Sequence, residues 1–461
     1  INQIDNLLAK FAELMWGTPL LVLLLGGGVY FTLYCRFIPF RYVRHGINIL
    51  RGKYDDPNDP GQISHFHALS SALASTVGMG NISGVAIAIH IGGPGALFWM
   101  WISAIVGMST KFFTCTLAIL YRGKDDNGEV QGGPMYVIQE GLPKSLHFLA
   151  YLFSIAGLFG CLALFQANQL TQIIQDQIYT PLGYFEQNPL IGQLLVGIIM
   201  STIISAVIFG GIRRIGQVAA RLVPSMVLLY MLCGLIILLR NITSLDDILM
   251  LILRDAFTGH AVTGGALGTV MITGIRRAAF SNEAGIGTES MAHGAAITKE
   301  PVREGLVAML GPMIDTLVVC SITGFAILST DVWIDSNLNG ISMTSAAFRE
   351  GLPFLGEAML LIIVTVFSIT TIIGYSYYGS KCAAFLFGNK WKQPYRVVYT
   401  LSLIPAAVIS IDMVINYVDG MFAMMGIPTM ISTILLAPKV MAAARDYFSR
   451  LENRDTTKQL G

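Results

Sequence analysis

Two stretches of the chain combine glycine with small polar residues inside otherwise apolar surroundings. One reads Ala74-Ser75-Thr76-Val77-Gly78-Met79-Gly80-Asn81-Ile82-Ser83-Gly84, the other Phe280-Ser281-Asn282-Glu283-Ala284-Gly285-Ile286-Gly287. A helix carrying Gly-x-Gly-Asn at its middle is expected to unwind there, and unwinding exposes backbone groups that can do chemistry. A half-helix starting near Gly80 and Asn81 presents free amides and the positive end of its dipole, which suit a carboxylate. The preceding half-helix ends near Val77 with carbonyls that lack intrahelical partners, which suit a hard cation such as Na⁺. A zwitterionic amino acid and a sodium ion fit these two features together. The competing reading takes the glycines as helix-packing faces, common in membrane helices. The occurrence of two such stretches, each with an Asn, favours the breaks.

The elements that hold these stretches must be transmembrane. The chain has 461 residues, 54% hydrophobic and 12% charged, against about 25% charged in ordinary soluble domains, and the mean hydropathy is +0.64. Apolar runs of about 20 residues mark membrane spans. A soluble enzyme, a disordered chain and a nucleic-acid binder are excluded; the net charge of +1 offers no concentrated basic surface for phosphates. The segment 1–17, with Ile4, Leu7, Leu8, Phe11, Leu14 and Met15 at helical spacing, reads as an interfacial amphipathic helix. Eleven spans are expected at 18–37, 65–91, 94–121, 146–173, 191–212, 216–239, 262–294, 303–329, 354–387, 394–415 and 418–438. The first is long enough to cross and lacks a basic flank before it, so no cleavable signal peptide is expected.

Charge orients them. With the N-terminus outside, the inner loops and the tail 439–461 collect most of the 29 lysines and arginines, leaving Lys10, Arg240, Arg254 and Arg349 outside. The C-terminus is then cytoplasmic. If 18–64 supplies an accessory span and linker, the broken spans become the first helix of each five-helix half, 65–240 and 241–438. Five is odd, so the second half is inverted relative to the first, the plan of secondary transporters with a midplane site between broken helices.

Other polar residues in the spans leave alternatives open. Gln166 and Asn168 could serve a pocket or bond between helices. Thr370 and Thr371 could ligate an ion or bond back to their own helix. Asp315 is an intramembrane acid with Arg276 and Arg277 as expected partners, in an ion pair, a gate or proton coupling. Glu283 is expected to cap a half-helix rather than bind a cation. Lys111 snorkels or pairs. Tyr375 lies deep enough for a pocket wall. His65 and His67 read as interfacial anchors, and His90 and His293 carry no signal. The six cysteines sit singly in apolar segments and read as fillers, without metal-ligand spacing.

With Gly92-Gly93-Pro94-Gly95-Ala96, Gly132-Gly133-Pro134 and Gln166-Ala167-Asn168, the two glycine-rich stretches resemble the alanine or glycine:cation symporter family of the amino acid–polyamine–cation superfamily, over about residues 15–445. The Phe-Ser-Asn-Glu-Ala-Gly block is the specific part. The resemblance implies an all-α polytopic membrane protein of LeuT-like fold, a 5+5 inverted repeat with one extra N-terminal helix. It implies sodium-coupled symport of alanine, glycine or both by alternating access. The substrate carboxylate would meet Gly78, Met79, Gly80 and Asn81; Gln166, Phe280, Asn282, Thr371 and Tyr375 would complete the pocket. Sodium would sit among Ala74, Val77, Thr370 and Thr371. Met79 stands where the family often has Thr or Ser, Tyr375 where Trp is usual, and both leave the substrate side chain open. Proton coupling and an ion channel are the alternatives. No GxSxG, HExxH or P-loop motif supports an enzyme or an ATP-driven pump. The expected partners are a small neutral amino acid and membrane lipid, with no nucleic acid and no obligate protein, in a bacterial or archaeal inner membrane.

Overall fold

The computed structural model describes residues 2–209, 211–258 and 266–459. The opening of the expected seventh span, 262–265, lies outside the described residues, as do the side chains of Arg213, Arg454 and Lys458. The fold is helical apart from one small hairpin, Gly123–Lys124 against Val130–Gln131. The principal helices are α1 (Asn2–Met15), α2 (Thr18–Tyr34), α3 (His65–Thr76), α4 (Met79–Gly92), α5 (Ala96–Leu120), α6 (Phe148–Gly160) and α7 (Leu164–Ile174). They continue as α8 (Pro189–Ile208), α9 (Gly211–Arg240), α10 (Leu245–Thr258), α11 (Ala266–Asn282), α12 (Glu289–His293) and α13 (Pro301–Ser329). The last are α14 (Gly340–Gly351), α15 (Gly356–Phe387), α16 (Lys392–Ala406) and α17 (Ile411–Gln459).

Among the described residues eight helices are long and apolar enough to cross a membrane, or nine if α1 and α2, bent by 48°, form one span. The expected seventh and tenth spans appear as the shorter helices α11 and α16. Burial sorts the spans by position. The apolar window of the unit α3–α4 is wholly buried, whereas those of α8 and α9 are only one-third buried. The broken span is thus the centre of the bundle, and α8 and α9 face lipid. Around the centre, α4 packs on α11, α3 packs on α9 and α15, and α5 packs on both α11 and the first part of α13.

Three features differ from the sequence expectation. The tenth and eleventh spans divide at 407–410, not at 415–418, because the chain turns after Pro405 and one helix then runs from Ile411 through the expected tail to Gln459. The loops expected on the outer side contain α10 and α14, whose mixed polar and apolar residues form helices instead of looping freely. Finally, α1 lies along α17: Phe11 packs on Gly420, where an added Cβ would collide with its ring, and Trp16 donates Nε1–H to the Asp419 carbonyl at 2.9 Å.

Candidate functional site

The first break is as narrow as a break can be. Ser64 caps α3 by accepting the His67 amide, and α3 ends with the Val77 amide on the Leu73 carbonyl at 2.7 Å. Gly78 is extended, and α4 starts at Met79. Asn81 closes the new helix from within: its Oδ1 accepts the Gly78 amide at 2.8 Å, and its own amide returns to the Gly78 carbonyl at 3.1 Å. The Met79 and Gly80 amides fall in a first turn, and the carbonyls from Ala74 to Val77 in a last one, so neither set has a regular intrahelical partner.

Glycine is required at position 78 by what lies opposite. An added Cβ would collide with the Thr371 hydroxyl, and the Phe367 carbonyl lies 3.6 Å from the same point. One turn on, the backbone at Gly374 is pressed against Ser75. Helix α15 therefore lies directly on the carbonyl end of α3, and the Thr371 Oγ1 faces the break buried and without a hydrogen-bond partner in the structure. A buried hydroxyl in that condition costs about 1–3 kcal/mol unless something satisfies it. Thr370 behaves differently: its hydroxyl donates to the Val366 and Phe367 carbonyls at 3.0 Å and turns toward Met226 of α9. Of the two threonines, only Thr371 faces the break.

The second break follows Asn282 and is longer. Glu283, Gly285 and Gly287 all have positive φ (56°, 87° and 96°) before the chain resumes as α12. Side chains organise this break. Asn282 donates to Thr316 Oγ1 and accepts the Ala284 amide, both at 2.9 Å. The Glu283 carboxylate accepts the hydroxyls of Tyr375, at 2.6 Å, and Thr288. It therefore binds side-chain hydroxyls and does not cap helix amides as expected. Thr371 and Tyr375 are one turn apart on α15, so a single helix face touches both breaks.

The two breaks meet at Asp315. This fully buried carboxylate receives Asn81 Nδ2 and the hydroxyls of Ser281 and Thr316, each at 2.7 Å. It lies on a π-helical stretch of α13, Met313–Cys320, an irregularity frequent at functional sites. The expected pairing with Arg276 or Arg277 does not form. Arg277 pairs with Asp419 of α17, and Arg276 lies over the Trp16 ring at 5.7 Å. Those arginines leave α11 on the side facing α1 and α17, away from α13. Asn81 and Asn282 are consequently spent on protein partners rather than exposed to a pocket.

Gly80 brings the breaks into contact: an added Cβ would stand 3.1 Å from Ser281 Cα and 3.5 Å from the Phe280 ring. Phe280 heads an aromatic wall, edge-on to Phe165 at 4.9 Å and 5.6 Å from Phe422, with Tyr375 6.4 Å beyond Phe422. Gln166 follows Phe165 on α7 and is buried, as is Met79. Asn168 instead holds the turn before α17, donating to the Ile409 carbonyl at 2.6 Å. Its neighbour Gln169, absent from the sequence reading, accepts the Ile341 amide at 3.1 Å and the Ser83 hydroxyl, fastening α14 over α4. Lys111 is buried, not snorkelled, and lies within electrostatic reach of Asp315 and Glu283.

The far ends of the broken spans are tied together by two histidines, His65, expected as an interfacial anchor, and His293, which carried no signal in the sequence. His65, opening α3, and His293, closing α12, both place Nδ1 on the buried Glu304 carboxylate, one on each oxygen. Ile63 pairs with Ala296, and Arg122 donates to the carbonyls of Pro60, Gly294, Ala296 and Thr298. Spacing in sequence hides this because the three knot residues come from three helices.

Comparison with known proteins places the chain in a family. The model of the sodium:alanine symporter family matches residues 1–460. A sodium/alanine symporter of Methanococcus maripaludis is 38% identical over 439 residues, covering 94% of this chain and 95% of that protein. A probable sodium/glutamine symporter of Bacillus subtilis is 34% identical over 450 residues, covering 96% and 91%. Among solved structures, MhsT in complex with L-phenylalanine superposes with a TM-score of 0.56 at 15% identity, covering 83% of this chain and 98% of that one. The fold is thus LeuT-like. The chain belongs to the sodium:alanine symporter family and is an integral, multi-pass membrane transporter, not an enzyme.

Proposed function

We propose that the chain imports a small neutral amino acid, alanine, glycine or both, together with Na⁺ by alternating access. The observation that carries this reading is the orphaned Thr371 hydroxyl facing the carbonyl end of α3. Sodium would sit there among the carbonyls of Ala74 and Val77 and the Thr371 hydroxyl, with Phe367 adding its carbonyl and Thr370 serving only through an oxygen already turned to its own helix. Unwound carbonyls are the usual sodium ligands of such transporters. The substrate carboxylate would meet the free amides of Met79 and Gly80 beside Gly78, whose own amide is held by Asn81, and Gln166, Phe280 and Tyr375 would line the side-chain end. Asn81 and Asn282 would hold the breaks in shape through Asp315 and Thr316.

A zwitterion carries no net charge, so the membrane potential acts on the ion. One Na⁺ moving down 100 mV releases about 2.3 kcal/mol, enough for roughly fiftyfold accumulation at 1.36 kcal/mol per decade. In this reading the N-terminus is outside, the C-terminus inside, and 65–240 and 241–438 form the inverted halves. Proton coupling is the second reading, favoured by the buried carboxylates Asp315 and Glu283, which have no ion-pair partner among the described residues.

The test is uptake of radiolabelled alanine and glycine into liposomes holding the purified chain, with an inward Na⁺ gradient or with K⁺ or choline in its place. Concentrative uptake that requires Na⁺, with at least about tenfold weaker Na⁺ dependence in Thr371→Ala, is the expected result. Uptake indifferent to Na⁺ and driven by a pH gradient would replace sodium with protons. Absence of alanine and glycine uptake alongside Na⁺-driven uptake of another amino acid would overturn the substrate assignment alone.

A further inference from the structure

Helix α2 ends at Tyr34, and the chain reverses through Arg36 and Phe37, both in the left-handed region (φ 51° and 61°). That conformation is costly for a residue with a Cβ, particularly a bulky one. It places Arg36 and Arg41 on one wall of a groove of about 630 Å³, whose other wall is the far end of α17 with Met441, Arg445 and Phe448. Tyr42 stacks on Phe448 at 4.1 Å and floors the groove, and Arg41 extends over Tyr42. Glu452 stands at the rim. The three guanidinium groups are exposed and have no ion-pair partner among the described residues.

Position distinguishes this groove from an ordinary solvated charged surface. Directly along α2, Val29, Tyr30 and Leu33 are exposed on a spanning helix and therefore face lipid, and Phe37 and Phe40 are exposed at the turn itself. Aromatic residues of that kind mark the membrane–water interface. The groove thus opens at headgroup depth, with an apolar track running from it toward the bilayer core. Guanidinium forks match phosphate oxygens, and basic pockets between membrane helices take anionic headgroups.

We propose that this groove is a binding site for an anionic phospholipid. The phosphate lies among Arg36, Arg41 and Arg445, and an acyl chain follows Leu33 and Val29. A zwitterionic lipid offers the same phosphate but brings an ammonium group that three arginines repel. A soluble phosphate ester lacks the acyl chain and gains nothing from the track. An occupied groove ties α2 to α17, the helix that also carries Asp419 opposite Arg277.

The experiment uses the full chain, delipidated in neutral detergent, titrated with phosphatidylglycerol, with phosphatidylcholine of the same acyl length, or with glycerol phosphate. Adducts are counted by native mass spectrometry. Each arginine near an anionic headgroup contributes about fivefold in affinity, so Arg36→Gln/Arg41→Gln/Arg445→Gln should bind phosphatidylglycerol about a hundredfold more weakly. An equal loss of charge elsewhere, Arg51→Gln/Lys53→Gln/Lys390→Gln, should leave binding unchanged. Arg445→Gln alone, an exposed change on α17, should lose about fivefold and keeps the test valid if the triple variant fails to fold. Equal retention of phosphatidylglycerol by the groove variants and the parent overturns the proposal. So does equal affinity for phosphatidylcholine, and tight binding of glycerol phosphate would make the groove a soluble-phosphate site.

Discussion

The two interruptions at the centre of the bundle are built on opposite principles. The first spends a single extended residue, Gly78, and is closed by one local side chain, Asn81. What it offers is bare backbone on both sides of the gap, with the unsatisfied Thr371 hydroxyl across from it. The second extends from Glu283 to Thr288, takes three left-handed conformations, and fills its space with a buried carboxylate and two hydroxyls. Backbone is available for ligands at the first break, while side chains have already claimed the second. In the proposed function the first break therefore carries binding, and the second keeps shape.

The largest expected effect separates these roles directly. Gly78→Ala pushes a methyl group into the Thr371 hydroxyl, and Gly285→Ala puts a Cβ at φ 87° within 2.7 Å of Leu24. Overpacking costs about 1–3 kcal/mol, and an alanine in the left-handed region costs about 1–2 kcal/mol, so melting in detergent should fall by similar amounts. Uptake should not. Gly78→Ala should abolish it, while Gly285→Ala should retain uptake in proportion to folded protein. Equal uptake losses in the two variants would remove the functional distinction between the breaks.

Next in size is the carboxylate that joins them. Asp315→Ala removes the acceptor shared by Asn81 Nδ2 and the Ser281 and Thr316 hydroxyls. Asn81 Nδ2 keeps Ser281 Oγ and the residue-315 carbonyl, and Ser281 keeps Cys320 Sγ. The Thr316 hydroxyl is thus the donor left without its acceptor, at about 1–3 kcal/mol before relaxation. Melting should fall by a few kcal/mol. Asp315→Asn keeps the shape and should restore most of that stability. If Asp315→Asn restores folding but not the response to a pH gradient, Asp315 is a proton carrier as well as a clasp.

A smaller effect is expected at Tyr375→Phe, which withdraws one of two hydroxyls from Glu283 while keeping the ring beside Phe422. The loss should be about 1–3 kcal/mol in stability, with Na⁺ dependence unchanged. A shift in Na⁺ dependence would show that the second break shares the ion.

Both breaks were legible because glycine occurs together with Asn inside an apolar run at two places, which helix packing alone does not require, and the expected repeat rests on their positions along the chain. The partners of the buried charges were not. Asp315 was expected on Arg276 or Arg277 because those are the cations nearest in the fold plan, but α11 turns them toward α17, where Asp419 waits. Rotation of a helix about its axis is set by packing on all sides, and an all-round apolar helix does not record it. His65, His293 and Glu304 illustrate the same gap: 228 residues separate the two histidines, and only the folded α3, α12 and α13 bring them to one carboxylate. The helices α10 and α14 escaped notice because short amphipathic segments between spans resemble polar loops in composition.

The smallest expected effect concerns how the far ends of the breaks are held. Besides the buried knot on Glu304, Asp59 and Lys299 pair at 2.7 Å on the surface, and the Lys299 ammonium hydrogen bond holds the Asp59 carboxyl below its ordinary range. A carboxylate with a depressed pKa contributes stability above the unfolded value, near 3.9, and loses it as pH falls through the folded one. Asp59→Asn should therefore melt slightly below the parent above about pH 5, and this small difference should vanish below about pH 3. Because Lys299 is 63% exposed, solvent screens most of the attraction. Glu304→Gln, by contrast, removes a buried charge from between two imidazoles and should weaken the same junction at every pH at which the parent is folded. Comparable losses from Asp59→Asn and Glu304→Gln near neutral pH would mean that the surface pair, and not the knot beneath it, makes the two broken spans move together.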